Sequence, residues 1–217
     1  MGTVLGIDEA GKGPVIGPLI IAGVLINKED EKKLRDIEVK DSKLLTQKQR
    51  EILFDKIIEI AKSTRIIIIE PEEIDKTILR DDTSNLNWLE AKKSAEIINE
   101  FNPETAILDS PHPIPQKYAD YIKNLLTKDV ELISEHKADV NYPVCSAASI
   151  LAKVTREREM DKIKAKYGET GPGYPSNSIT QEFVKNNWDK HPEIFRKSWK
   201  TYQNVANTKN QKKISNF

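Results

Sequence analysis

Apolar positions along this chain begin without helical spacing and later settle into it. Thr3-Val4-Leu5-Gly6-Ile7 and the β-branched stretch from Val15 to Ile26 read as two strands, close enough to pair as a hairpin around a glycine turn. Thr46-x-x-Gln49 is a capping box that opens a helix, and Leu53, Ile57, Ile60 and Ala61 recur on one of its faces. Ile66-Ile67-Ile68-Ile69 predicts a buried strand. Trp88, Ala91, Ala95 and Ile98 mark a second helix, and Thr105-Ala106-Ile107-Leu108-Asp109 a strand that ends on a carboxylate. Ile114, Tyr118, Tyr121, Ile122 and Leu125 have amphipathic helical spacing, Val130 to Ser134 predicts a short strand, and Pro143 to Tyr167 a long helix. Gly168 stops that helix, residues 169–178 are turn formers, and Ser178-x-x-Gln181 reads as the cap of another helix reaching about Asn187. Strands first, then alternating strand and helix, predict an α/β fold: a mixed β-sheet flanked by helices, with a helical C-terminal part.

Composition narrows the class. A chain of 217 residues allows one domain with a real core and a small appendage. Its 31% charged residues, rich in Lys and Glu, are compatible with a thermophile. With 34 basic and 34 acidic side chains there is no global basic field, so any affinity for polyanions must be local. The one clearly basic segment follows Phe195: Arg196, Lys197, Lys200, Lys209, Lys212 and Lys213, with no acid among them. A single cysteine, Cys145, excludes an internal disulfide, fits a reducing compartment and reads as a small buried side chain. No apolar run approaches the roughly 20 residues that span a bilayer, and no signal-peptide pattern opens the chain. No membrane association is expected, and a cytoplasmic protein is.

The chemistry concentrates at Gly6-Ile7-Asp8-Glu9-Ala10-Gly11-Lys12-Gly13. These letters nearly spell a phosphate-binding P-loop, but that motif needs Ser or Thr after the lysine and a helix beyond it. Here Gly13-Pro14 and a β-branched stretch follow, so the nucleotide reading fails. Asp8 and Asp109 both sit at strand ends, where open α/β sheets bind ligands. Asp139 lies just before the long helix, either as its cap or as a further ligand. Adjacent strand residues face opposite sides, so Asp8 and Glu9 share a site only if the strand ends there, an ending Ala10-Gly11 can supply. A divalent cation makes convergence of these four carboxylates favourable, and Mg²⁺ prefers such oxygen ligands. Two ions about 4 Å apart would activate water and stabilise the leaving oxygen of a phosphodiester.

Six blocks together resemble the motif series of type 2 ribonuclease H, the ribonuclease HII family, in its archaeal form. They are residues 6–13, Asp41-Ser42-Lys43-Leu44-Leu45, Leu108-Asp109-Ser110, Glu135-His136-Lys137-Ala138-Asp139, Ser146 to Lys153, and Gly171-Pro172-Gly173-Tyr174. The resemblance implies a ribonuclease H-like fold. It implies Mg²⁺- or Mn²⁺-dependent cleavage of RNA paired to DNA, with two ions when substrate is bound. It also implies nicking 5′ of single ribonucleotides embedded in duplex DNA, leaving 3′-hydroxyl and 5′-phosphate ends, a chemistry of ribonucleotide excision repair and DNA replication. Asp8, Glu9, Asp109 and Asp139 take the metal-ligand and catalytic roles. Bacterial members carry Arg at the centre of the glycine motif; Lys12 matches the archaeal ones. Gly11 and Gly13, lacking Cβ atoms, let backbone approach a 2′-hydroxyl, and a hairpin-turn role is compatible with that. Tyr174 matches the family tyrosine that packs on the following sugar, although a tyrosine in a turn also packs ordinarily. Ser42 and Lys43 look like phosphate contacts, as does Lys153 unless it is merely solvated. The histidines receive no catalytic role.

The expected division is a catalytic domain over residues 1–168, a helical substrate-binding part over 169–210, and a tail over 211–217. In that tail Gln211-x-x-Ile214-x-x-Phe217 resembles the peptide by which replication proteins dock on the sliding clamp; a frayed charged end is the other reading. Two rival functions have less support. A non-catalytic binding module has no need of four mutually repelling acids. A ribonuclease HIII-like enzyme usually carries an extra N-terminal domain, for which Gly6 within the motif leaves no expected room.

Overall fold

Thr3–Ala10 (β1) and Leu19–Asn27 (β2) pair antiparallel, from Thr3 opposite Asn27 to Ala10 opposite Ile20. The hairpin is the expected one, but β2 begins at Leu19, not Val15. Gly17 adopts a left-handed φ of 85° and Pro18 has no N–H to give, so the ladder cannot extend back through them. Glu31–Asp36 (α1), Gln47–Ile60 (α2), Ser63–Ile69 (β3), Pro71–Arg80 (α3), Leu86–Phe101 (α4) and Thr105–Asp109 (β4) follow. Pro115–Lys123 (α5), Glu131–Glu135 (β5), Ala138–Asn141 (α6), Pro143–Tyr167 (α7), Ser178–Asn187 (α8) and Lys200–Ile214 (α9) complete the order. This computed structural model describes residues 2–39, 45–80 and 85–214, side chains at 80 and 209–214 excepted.

The sheet runs β3-β2-β1-β4-β5, with β1 parallel to β4 and β4 parallel to β5, a mixed sheet as the element order predicts. Three local expectations change. β3 is an outer strand, so the isoleucine run is only half-covered: Ile69 is buried while Ile68 stays 40% exposed. The cap of α8 is Asn177, whose carbonyl oxygen accepts from Thr180 N at 3.1 Å; Ser178 is already helical. Ile114 and Leu125 flank α5 and are exposed, leaving Tyr118, Ala119 and Ile122 as its buried face. The capping box at Thr46 forms as read, with Gln49 accepting from Thr46 N at 2.8 Å.

Contacts divide the chain into two compact units whose boundaries cross the sequence rather than cutting it once. The first is Met1–Ala10, Ile20–Ile68 and Leu86–Thr155; the second is Gly11–Leu19, Ile69–Asn85 and Arg156–Phe217. In the first unit, Ala10, Ile20, Ala22, Val24 and Ile26 pack with Leu53, Phe54 and Ile57 of α2 and with the Val144–Val154 stretch of α7. Gly6 permits this: a Cβ there would collide with the backbone of Val144 and Cys145. On the opposite sheet face Gly23, paired with Ile7, lies against Ile97 of α4, where a Cβ would come within 2.6 Å. Cys145 is buried as expected and donates to Ile107 O at 3.2 Å. The second unit has its own core of Val15, Ile16, Met160, Phe183, Val184, Ile194, Phe195 and Tyr202.

Candidate active site

Asp8 lies near the C-terminal end of β1 and is only 6% exposed. Because Gly6 faces α7, strand alternation turns Asp8 to the same side, and Ser149 of α7 donates its hydroxyl to the carboxylate. β1 continues through Ala10, with Asp8 paired to Ala22 and Glu9 to Ile21, so the two acids are successive residues of a paired strand. The Glu9 charge is felt by the buried Tyr118 of α5 as well as by Asp8. Glu9 acts on Asp8 through its N–H, which donates to Asp8 Oδ1 at 2.7 Å, and through carboxylate repulsion.

Asp109 closes β4, the strand beside β1, and its Oδ1 accepts the Ala138 N–H at 3.0 Å. That bond ties the rim of the sheet to the start of α6, whose leading residue, Lys137, is left-handed at φ 63°. Asp139 sits inside this short helix, buried to 7% exposure, and caps neither α6 nor α7. The cap reading of Asp139 is thereby removed. His136 rests its Nδ1 3.2 Å from Ser110 O, a structural bond.

The acids act on one another electrostatically. Burial above all, then repulsion from Asp109 and Glu9, pushes Asp8 up to about 8, against the lowering bonds from Ser149 and the Glu9 N–H. Cys145, whose thiol is pushed up chiefly by burial, feels Asp8, Asp109 and Asp139 together. Among the described residues no three Asp, Glu, His or Cys side chains are already gathered into a closed ligand sphere. Like charges keep their distance, and Mg²⁺ asks for only one or two direct carboxylates beside its waters. The donor chemistry fits a hard divalent ion: every candidate ligand is a carboxylate oxygen, and burial makes the Asp8 charge costly to hold alone.

Lys153 extends this arrangement, its Nζ donating to Ser149 Oγ at 2.8 Å. Ser149 was not singled out by the sequence; its position one helical turn before Lys153 is the signal that points to it.

In the second unit the glycine loop and Tyr174 come together. Tyr174 is 39% exposed, and its ring lies 3.8 Å from where a Gly13 Cβ would stand. The Arg156 guanidinium stacks on that ring at 5.1 Å and donates to Pro172 O at 2.9 Å. Arg156 also fills the space beside Gly11, whose φ is 89°. Arg196 and Trp199 bond the loop carbonyls, a part that the sequence, showing only a basic tail, did not reveal. Ser42, Lys43 and Phe217 lie outside the described residues. Gln211 and Ile214 belong to the last turn of α9.

A sequence model of the family described as ribonuclease HII matches residues 5–202. The ribonuclease HII of Pyrococcus horikoshii is 42% identical over 221 residues, covering 99% of this chain and 98% of that one. The crystal structure of ribonuclease H2 from the same organism superposes with a TM-score of 0.87 at 43% identity, covering 94% of this chain and 96% of the other. A ribonuclease HII from Archaeoglobus fulgidus, solved in complex with PCNA, gives a TM-score of 0.82 at 40% identity over 91% of this chain and 95% of that one.

Proposed function

This chain belongs to the ribonuclease HII family and is a type 2 ribonuclease H, an endoribonuclease of RNA–DNA hybrids; from that premise we propose a site, a cut and a docking segment. Asp8, Glu9, Asp109 and Asp139 hold Mg²⁺ or Mn²⁺, two ions once substrate is bound. The ions, when bound, stabilise charge developing on the phosphate and activate the attacking water. The observation that carries this reading is Asp8: a buried carboxylate pushed up to about 8 beside Asp109 and Glu9 is costly to ionise until a cation arrives.

The chain's own residues do the rest. Ser149 holds the Asp8 carboxylate through its hydroxyl, with Lys153 behind it. Asp109, anchored by Ala138 N–H, keeps one oxygen oriented. Gly11, Lys12, Gly13 and Tyr174 inspect the sugar, while Ser42, Lys43 and Lys153 hold backbone phosphates. The cut falls 5′ of a ribonucleotide, including one embedded in duplex DNA, and leaves 3′-hydroxyl and 5′-phosphate ends.

The test is a duplex DNA carrying one ribonucleotide, incubated with Mg²⁺ or with EDTA. A single metal-dependent nick 5′ of the ribonucleotide is expected, and Asp8→Asn is expected to abolish it without unfolding the protein. Cleavage confined to long hybrids, or brisk Mg²⁺-dependent nicking by Asp8→Asn, would refute the assignment. Gln211, Ile214 and Phe217 dock on a sliding clamp, a reading supported by the tail motif and by the PCNA complex of the Archaeoglobus relative. Deleting residues 211–217 is expected to abolish clamp binding and spare cleavage.

A further inference from the structure

Arg196 is the largest wholly buried side chain in the described protein, at 0% exposure. Its guanidinium donates to Gly11 O at 2.6 Å, Lys12 O at 2.8 Å and Gly17 O at 3.0 Å. Trp199 covers it, the indole 4.9 Å from the guanidinium carbon, and the indole N–H donates to Gly13 O at 3.0 Å. Three consecutive loop carbonyls are thus drawn back by two side chains. No cis peptide occurs among the described residues, and in a trans peptide the N–H points opposite to its C=O. With the carbonyls of Gly11 and Lys12 turned toward Arg196, the N–H groups of Lys12 and Gly13 are turned away from it. The next residue, Pro14, has none. A buried guanidinium behind the loop also adds positive potential in a low-dielectric setting.

We propose that Arg196 and Trp199 are positioning residues that aim the Lys12 and Gly13 N–H groups at the sugar-phosphate of a ribonucleotide, and so set discrimination between RNA and DNA. This rests on the reading of the glycine loop given above. Neither residue touches substrate: Arg196 fixes the two peptide planes that carry these N–H groups, and Trp199 covers Arg196 and pins the loop where it leaves Gly13. Arg suits the task because its planar fork reaches several carbonyls at once, which a lysine ammonium cannot do in one geometry.

The experiment compares binding, in EDTA, of two duplexes identical except for one ribonucleotide, by the unsubstituted protein, Trp199→Phe, Arg196→Lys and Arg196→Met, with thermal midpoints alongside. Trp199→Phe removes a single N–H and keeps the ring. It is expected to shrink the preference for the ribonucleotide duplex about fivefold, the value of one lost hydrogen bond, with all-DNA affinity held. Arg196→Met is expected to erase the preference, and Arg196→Lys, which keeps the charge and one donor, to fall between. Equal losses on both duplexes, or an unchanged preference in every variant, would overturn the proposal. So would failure of all three variants to fold, which would make these residues pillars of the fold and nothing more. If the unsubstituted protein shows no preference, the underlying reading of the loop fails first, and the proposal with it.

Discussion

Lys153 Nζ stands 2.8 Å from the hydroxyl of Ser149 one turn earlier on α7, and Ser149 passes that polarity on to the carboxylate of Asp8. The buried acid is thereby linked to a lysine through one hydroxyl. The serine bond lowers the cost of ionising Asp8, and the lysine keeps the serine oxygen an acceptor so that its proton faces Asp8.

Ser149→Ala should therefore weaken metal use rather than folding. Loss of a partner that orients a metal-binding carboxylate typically costs about 10–100-fold in metal affinity or activity. The Mg²⁺ dependence of cleavage should move to higher concentration by that order, and Lys153→Met should follow in the same direction. An unchanged Mg²⁺ titration for both variants would show the relay to be idle.

The pH dependence of stability follows from Asp8. Burial first, with Asp109 and Glu9 repulsion, raises it from an ordinary 3.8 to about 8. Folding thus favours the protonated carboxyl, so its stabilising contribution is complete below 3.8 and is lost as pH rises through about 8. Metal-free protein should melt at lower temperature above pH about 8 than near pH 5, and Asp8→Asn should flatten that part of the curve. Added Mg²⁺ should recover stability at the alkaline end. Parallel melting curves for the two proteins in EDTA would contradict the assignment.

The two loop glycines should separate in their effects. Gly11 has φ 89°, and a Cβ there would lie 2.5 Å from Arg156 Cδ and 2.9 Å from Pro18 O. Gly11→Ala should lose stability by about 1–3 kcal/mol from backbone strain and disturb Arg156 as well. The fold makes no such demand of Gly13, where a Cβ would meet only the Tyr174 ring at 3.8 Å. Gly13→Ala should keep its thermal midpoint and lose cleavage at single ribonucleotides. Equal melting losses in the two variants would remove the functional explanation for Gly13.

Asp75 of α3 holds the segment that carries Arg196 and Trp199. Its carboxylate, 8% exposed, accepts from Lys197 N at 2.7 Å, Ser198 N at 2.9 Å and Ser198 Oγ at 2.6 Å. Asp75→Ala removes the acceptor of two partly buried N–H groups, so a loss of about 1–3 kcal/mol is expected, read by chemical denaturation. A stability within experimental error of the unsubstituted protein would mean that segment holds itself.

Much of this protein is written in its local sequence. Short apolar runs become β1 and β4, the Thr46 capping box starts α2, and the uninterrupted stretch from Pro143 to Tyr167 becomes α7, because these signals act over a few residues. Asp8 and Asp109 could be paired in advance, since both end runs that parallel strands place side by side. Position within the sheet could not be read: an isoleucine run looks buried whether its strand is central or, like β3, at the edge. Nor could the faces on which Gly6 meets α7 and Gly23 meets α4, because they depend on which distant helices pack on the sheet. Arg196 makes the difference plainest. By sequence it is one cation in a basic tail, while in the fold it is wholly buried against carbonyls 179 to 185 residues away in the chain. The sequence by itself determined the elements and the acids, whose physics is local; tertiary structure alone decided which faces and carbonyls they meet, because burial is a property of neighbours distant in the chain.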